Sequence, residues 1–308
     1  MTRRLTWDDF PSALRGRLEA LLGVSVERTR SCTGGFSPSS AEILTAHSGR
    51  ELFVKAVRGC DNPGSLRLNR DEASVLAALP ASFAVPSLVA SFTEGEWFVL
   101  VTEVAPGSLP EQPWTSVQLD RALEALDALQ ATATPSPVDG LRPVTETLGP
   151  DMLGFDRVAA DPPEDLGSWL RDHLDELRVA ARRGIDALDG DSLCHSDVRA
   201  DNILLADDGA VAFVDWAWAS RGSRIADALQ LLSSVEDPKG ALGVNARVDA
   251  VLDSHELPHQ VGTDVLVGVL GFFVDAARWP TDPSLPFLQR HRRARRDSLL
   301  PLVRARWI

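Results

Sequence analysis

The sequence predicts an α+β fold in two parts, a small antiparallel sheet with one helix followed by a larger, mainly helical part. Three observations predict it. Short runs rich in β-branched and aromatic residues, punctuated by turn residues, fill the first hundred positions. A proline- and glycine-bearing break, "VAPGSLPEQP", follows at Val104 to Pro113. Beyond it, apolar residues recur at intervals of three and four. The expected division is therefore 1–104 and 105–308. The 308 residues, 44% of them hydrophobic, are enough to bury a full core.

Each element follows from its residues. "SSAEILTAHSGRELFVKAV" holds two β-rich runs joined at Ser48-Gly49, and "PSLVASF" with "EGEWFVLVTEV" makes a second hairpin. Between these hairpins Leu68, Glu72, Val75, Leu76 and Leu79 share one face of a predicted helix, which puts a carboxylate inside an apolar stripe. After the break, Leu119, Leu123, Leu126 and Leu129 mark an amphipathic helix, and "LGSWLRDHLDELRVAARRGIDAL" marks another. The proline-rich segment 135–163 reads as loop. "ILLADDGAVAFVDWAWA" reads as a strand, a turn at Asp208-Gly209 and a second strand ending at Asp215, and "RIADALQLLSSV" returns to helix.

Charge limits the partners. With 31 Lys plus Arg against 44 Asp plus Glu, the net charge of −13 argues against a non-specific nucleic-acid or anionic-membrane binder and favours a small partner, cationic ones included. The first residues lack an apolar core of signal-peptide length, and no window approaches the roughly 18 uninterrupted apolar residues of a spanning helix, so the cytoplasm is the expected location. Cys32, Cys60 and Cys194 form no CxxC pair and are expected to be reduced packing residues. Almost every cation is arginine. Lys55 and Lys239 are the two lysines, so a lysine kept in the middle of the apolar strand "LFVKAV" suggests a need for a compact ammonium.

Polarity concentrates in "LCHSDVRADNILL", Leu193 to Leu205, where His195, Asp197, Arg199, Asp201 and Asn202 fall within eight residues ahead of a predicted hairpin. Asp and Asn commonly serve as turn residues. Together with Asp215 at the end of that hairpin, however, they offer the oxygen donors that suit magnesium, which is held by one or two carboxylates alongside substrate phosphates. Asn202 and Asp215 are the candidate ligands, and Asp197 is a candidate acceptor for the proton of an attacking hydroxyl.

His195, Asp197, Asn202 and Asp215 together resemble the catalytic loop and metal-binding aspartate of the protein-kinase-like fold. The form "HSDVRADN" with "VDW" is similar to the aminoglycoside phosphotransferase and choline kinase branch. The resemblance spans roughly residues 30 to 230. It departs from regulated protein kinases in carrying Trp216 after the aspartate and no APE-like segment, and from its own branch in carrying Ser196 where glycine is usual.

The resemblance implies a bilobal architecture and an ATP-dependent transfer of the γ-phosphoryl group to a hydroxyl-bearing small molecule, with magnesium and ATP as cofactors. It further implies a glycine-bearing phosphate loop, here Gly34, Gly35, Phe36 and Ser37 in "TGGFSPSS", although Gly34 and Gly35 alone would also make an ordinary hairpin turn. A strand lysine, Lys55, paired with a helix glutamate, Glu72, follows from it, as does a basic residue, Arg199, near the transferring group. It puts the adenine against main-chain groups of Val101 to Gly107, with Glu103 and Ala105 as candidate contacts, and gives Asp227 a structural role.

Acceptor identity stays open between an aminoglycoside-like antibiotic and a metabolite of the choline, homoserine or sugar type. A nucleotide-binding pseudokinase is a further alternative. The acceptor is expected near segment 135–163 and the group Asp275, Trp279 and Asp282. His255 and His259, four apart, lack an evident third metal ligand, and the basic "QRHRRARRDSLLPLVRARWI" is expected to pair with the chain's own acidic surface.

Overall fold

A computed structural model describes residues 5–32, 39–80, 82–281 and 287–307. In chain order its elements are α1 (Ser12–Leu22), β1 (Val26–Ser31), β2 (Ser40–Ala46), β3 (Glu51–Arg58), α2 (Pro63–Ala78), β4 (Leu88–Glu94), β5 (Trp97–Glu103), α3 (Ser116–Thr132) and α4 (Val144–Thr147). There follow α5 (Gly149–Met152), α6 (Gly154–Ala160), α7 (Ser168–Asp172), α8 (Leu174–Asp186), β6 (Ser192–Cys194), β7 (Ile203–Leu205), β8 (Val211–Phe213) and β9 (Ser220–Gly222). The last are α9 (Ala226–Ser234), α10 (Val244–Ser254), α11 (His259–Ala276) and α12 (Leu288–Arg306). The class is α+β, with the main sheet antiparallel and in the order β1-β2-β3-β5-β4.

The chain divides into two compact units, one of residues 1–109 with 201–218 and the other of residues 110–200 with 219–308. This differs from a linear cut at 104/105 because the hairpin β7–β8 hydrogen-bonds into the first unit. Ser108 and Leu205 exchange backbone bonds of 3.1 and 2.8 Å, and the Phe213 N–H donates to the Ala84 carbonyl at 3.1 Å. Gly107 makes that approach possible, since it adopts φ +109° and an added Cβ would sit 2.7 Å from the Leu205 carbonyl carbon.

Alternation along β3 sets the chemistry of the first unit. Leu52, Val54 and Ala56 join Leu44, Ala46, Trp97, Val99 and Val101 in one core, and α1 closes it with Leu14, Leu18 and Leu22. Burying each of these leucines contributes about 1.5–3 kcal/mol. Lys55 lies on the opposite face, where α2 carries Glu72. Helix α1 is a second helix in a region expected to hold one. Its i, i+4, i+8 leucines and the left-handed Gly23 at its end are ordinary helix and stop signals.

In the second unit the expected loop 135–163 contains α4, α5 and α6, and the expected helix over 166–188 breaks at His173 into α7 and α8. Helix α11 lies close against its neighbours: a Cβ on Gly154 would stand 2.0 Å from the Gly271 oxygen, and one on Gly184 would stand 2.4 Å from the Asp264 oxygen. The arginines of α12 are anchors as well as surface. Arg295 is buried and bonds the Ser233 carbonyl, and Arg306 pairs with Asp249 at 2.5 Å. His259 bonds Asp253 at 2.8 Å, and among the described residues no group of three or more His, Cys, Asp or Glu is placed to hold a metal. Of the three thiols Cys194 is buried and Cys32 half-buried, whereas Cys60 is exposed and is therefore not a packing residue. No helix among the described residues is long and apolar enough to cross a membrane.

Candidate functional site

The first unit gathers three of the expected residues around one ammonium. Lys55 Nζ donates to Glu72 Oε2 at 2.7 Å and to Asp215 Oδ1 at 2.9 Å. An isolated ammonium or carboxylate is costly inside an apolar strand or helix face, so each of these placements accounts for the other. Burial opposes the ammonium, yet the charges of Glu72 and Asp215 outweigh it and hold the Lys55 pKa above its ordinary value. Glu72 is displaced in the same direction: burial, reinforced by the Asp215 carboxylate, pushes it up to about 7 against the pull of Lys55 and a Trp216 backbone bond. The ammonium is therefore permanent at neutral pH.

Asp215 belongs to the turn that leaves β8. Where a strand ending at Asp215 is expected, β8 ends two residues earlier at Phe213, and Asp215 takes a left-handed φ of +67°. Aspartate tolerates this region better than most residues, and such conformations persist where the surroundings over-determine them. Here the support is Trp216, fully buried, with its indole Nε1–H donating to the Phe213 carbonyl at 2.9 Å. The Asp215 side chain remains 37% exposed, whereas Glu72 is only 5% exposed, so Asp215 alone of the two carboxylates is open to a ligand. Asn202 is buried, and its main-chain carbonyl accepts the Val214 N–H at 3.0 Å, which ties the backbone of Asn202 to the residue before Asp215 at the base of the hairpin. An amide oxygen and a carboxylate fit magnesium, whose remaining positions water and nucleotide phosphates would fill.

The second unit holds the loop with Asp197. His195 is fully buried, its N–H donates to Asp227 Oδ2 at 2.8 Å, and the Ser196 N–H donates to Asp227 Oδ1 at 2.9 Å. Burial pushes the Asp227 carboxyl up, while these bonds and a 3.4 Å bond from Gln130 draw it back. Ser196 adopts φ +62°, a conformation that glycine reaches without cost, and its hydroxyl pairs with that of Ser220. The substitution of serine thus keeps a left-handed loop. His195 Nδ1 lies 3.2 Å from the Asp197 N–H and accepts from it, so the histidine orients the loop from beneath. Arg199 Nη2 is 3.6 Å from Asp197 Oδ2, an ion-pair distance with both side chains about one-quarter exposed.

A model of the phosphotransferase enzyme family, APH, matches residues 28–260. The chain belongs to this family. It is a phosphotransferase enzyme with the kinase-like α+β fold of the group, and solved structures agree on that fold. One is a thermostable mutant of aminoglycoside phosphotransferase APH(4)-Ia in ternary complex with AMP-PNP and hygromycin B, at TM-score 0.62 and 16% identity over 96% of this chain and 98% of that one. Another is macrolide 2'-phosphotransferase MphH from Brachybacterium faecium, at TM-score 0.60 and 19% identity over 94% and 99%. A third is an aminoglycoside phosphotransferase from Alicyclobacillus acidocaldarius, at TM-score 0.56 and 18% identity over 91% and 92%. No curated protein sequence matches the chain.

Other expected residues fall differently in this phosphotransferase. Gly34, Gly35, Phe36, Ser37 and Asp282 lie outside the described residues. Glu103 ends β5 with an exposed side chain and its N–H already given to the Ser87 carbonyl at 2.9 Å, while Ala105 is half-buried beyond the strand. Asp275 is not a free acidic face for an acceptor. It is 2% exposed and bonds Arg157 Nε at 2.6 Å, Arg278 Nη2 at 2.8 Å and Trp279 Nε1 at 3.1 Å. Trp279 is exposed, with the Arg292 guanidinium 4.6 Å from its ring centre. Gln230, which the sequence reading passes over, bonds the backbone on both sides of Asp197. The available signal is a second polar residue three positions after Asp227 in the otherwise apolar "ADALQLL".

Proposed function

We propose that this phosphotransferase is an ATP-dependent small-molecule kinase that transfers the γ-phosphoryl group to a hydroxyl of an aminoglycoside-like antibiotic or similar polar acceptor. The observation that carries the reading is the Lys55 ammonium held jointly by Glu72 and Asp215, a permanent cation of the kind that binds nucleotide phosphates. AMP-PNP in the hygromycin B complex of a structural neighbour supports ATP as the donor. Asn202 and Asp215 are the residues that would hold magnesium, which when bound neutralises phosphate charge. Asp197 accepts the acceptor hydroxyl's proton and Arg199 stabilises charge on the transferring group. Gly34, Gly35, Phe36 and Ser37 are assigned to the phosphates by the family resemblance of their sequence alone, and the Glu103 carbonyl and the Ala105 main chain are assigned to the base.

A metabolite kinase of the choline, homoserine or sugar type is the second reading. The neutralisation of Asp275 by Arg157 and Arg278 favours an acceptor of low net charge, such as a sugar or zwitterionic homoserine, over a polycation. A pseudokinase is disfavoured, since a binding module has no use for a proton acceptor.

A screen of hydroxyl-bearing antibiotics and metabolites for ATP-dependent mass gain of one phosphate tests the reaction and the acceptor together. With the acceptor found, Asp197→Ala is expected to lower turnover by about 10² to 10⁴ while AMP-PNP binding persists. Unchanged turnover in that variant removes Asp197 from the role.

A further inference from the structure

Helix α9 presents two polar side chains, Asp227 and Gln230, to the loop that carries Asp197. They divide its backbone between them. Asp227 takes the N–H groups of His195 and Ser196 at 2.8 and 2.9 Å. Gln230 uses both ends of its amide: Oε1 accepts the Val198 N–H at 2.8 Å, and Nε2–H donates to the Ser196 carbonyl at 2.8 Å. The two Gln230 bonds therefore bracket Asp197, whose own N–H is taken by His195. We infer that Gln230 is a positioning residue for phosphoryl transfer, setting the backbone direction from which the Asp197 carboxylate is presented.

Three features make the amide more than a packing group. Ser196 sits at φ +62°, so without a bond to its carbonyl the peptide joining it to Asp197 can relax toward the broad region that serine prefers. The primary amide donates to that carbonyl from its nitrogen and accepts from Val198 at its oxygen, two atoms held in one plane; a carboxylate keeps the acceptor alone, and a thioether of the same length keeps neither bond. Val198, the residue whose N–H is held, is itself fully buried, so it anchors the far side of the bracket while Asp197 keeps an exposed face. A shift of about 1 Å in a reacting group is enough to cost about 10²-fold in rate.

The inference rests on the proposed kinase reading, and its test separates the two. In the full chain, with the acceptor that gives wild-type turnover, Gln230→Met is expected to lower kcat about 10- to 100-fold with the KM for ATP and the AMP-PNP affinity within about twofold of wild type. Gln230→Glu, which retains the bond to Val198, is expected to fall between the two. Leu231→Val, buried on the same helix and bonding no loop atom, controls for loss of α9 packing and is expected to lower the melting temperature while leaving kcat unchanged. A Gln230→Met enzyme with wild-type kcat overturns the inference, as does a kcat loss that Leu231→Val reproduces at equal destabilisation. Either result leaves the phosphotransfer reading standing on wild-type turnover. That reading fails separately, if wild type phosphorylates no acceptor.

Discussion

Replacing Lys55 with methionine removes the charge that Glu72 and Asp215 share while keeping a side chain of similar length. At 2.7 Å and an effective dielectric of about 20, the gross attraction to Glu72 is about 6 kcal/mol, most of it offset by the several kcal/mol that each ion loses on leaving water. Taking away one partner is a different matter, because it strands a carboxylate that is 5% exposed, and such losses run to about 3–5 kcal/mol. Glu72 is already pushed up to about 7, and without the ammonium it takes up a proton near neutral pH, which puts the expected loss at the lower end, about 3 kcal/mol. Adding Glu72→Leu should recover most of that loss, since an apolar pair in place of a buried ion pair is often neutral or stabilising. Hydrogen exchange in peptides from β3 and α2, followed across a urea series, reads the stability of the first unit without interference from the second. A single variant within about 0.5 kcal/mol of wild type, or a double variant as unstable as the single, would refute the claim that the two costly placements compensate each other.

Other outcomes follow from the second unit and from glycine packing. Burial pushes Asp275 up, but bonds from Arg157, Arg278 and Trp279 hold it below the ordinary carboxylate value, so its contribution is present above the unfolded pKa of about 3.9 and is lost as pH falls through the lower folded value. The melting temperature of Asp275→Asn should therefore lie well below wild type at pH 7, and the gap should narrow as pH falls through that range. Gly154→Ala, whose Cβ would meet the Gly271 carbonyl at 2.0 Å, should lose at least about 1–3 kcal/mol in urea denaturation. Gly16→Ala in α1, with nothing within 4 Å, should instead gain about 0.5–1 kcal/mol.

Much of this molecule can be read from its residues, and the limits have a physical origin. A lysine inside an alternating strand and a glutamate inside an apolar helix stripe each announce an unpaired buried charge, and few arrangements relieve both; the 2.7 Å contact is what that logic requires. The spacing of His195, Asp197, Asn202 and Asp215 carries the family resemblance, which the match over residues 28–260 supports. Periodicity reports that a face is buried but not what covers it. The leucines of α1 and Gln230 on α9 are signals that the sequence holds and that go unread without their partners, the sheet core and the backbone around Asp197. Asp275 shows the converse error, an acidic residue beside a tryptophan that looks available for a ligand until two arginines from distant positions neutralise it.

The sequence by itself determined the class of fold and the pairing of a lysine in an apolar strand with a glutamate in an apolar helix stripe, because these depend on local pattern and on the cost of burying charge. Tertiary structure alone decided that residues 201–218 pack with the sheet unit, that Ser196 and Asp215 take left-handed backbones, and that one glutamine clasps the loop on either side of Asp197. Those features are made by hydrogen bonds to main-chain groups, given by a side chain or by another stretch of main chain, and every residue offers much the same main-chain groups. Such bonds leave almost no mark on the residue that receives them.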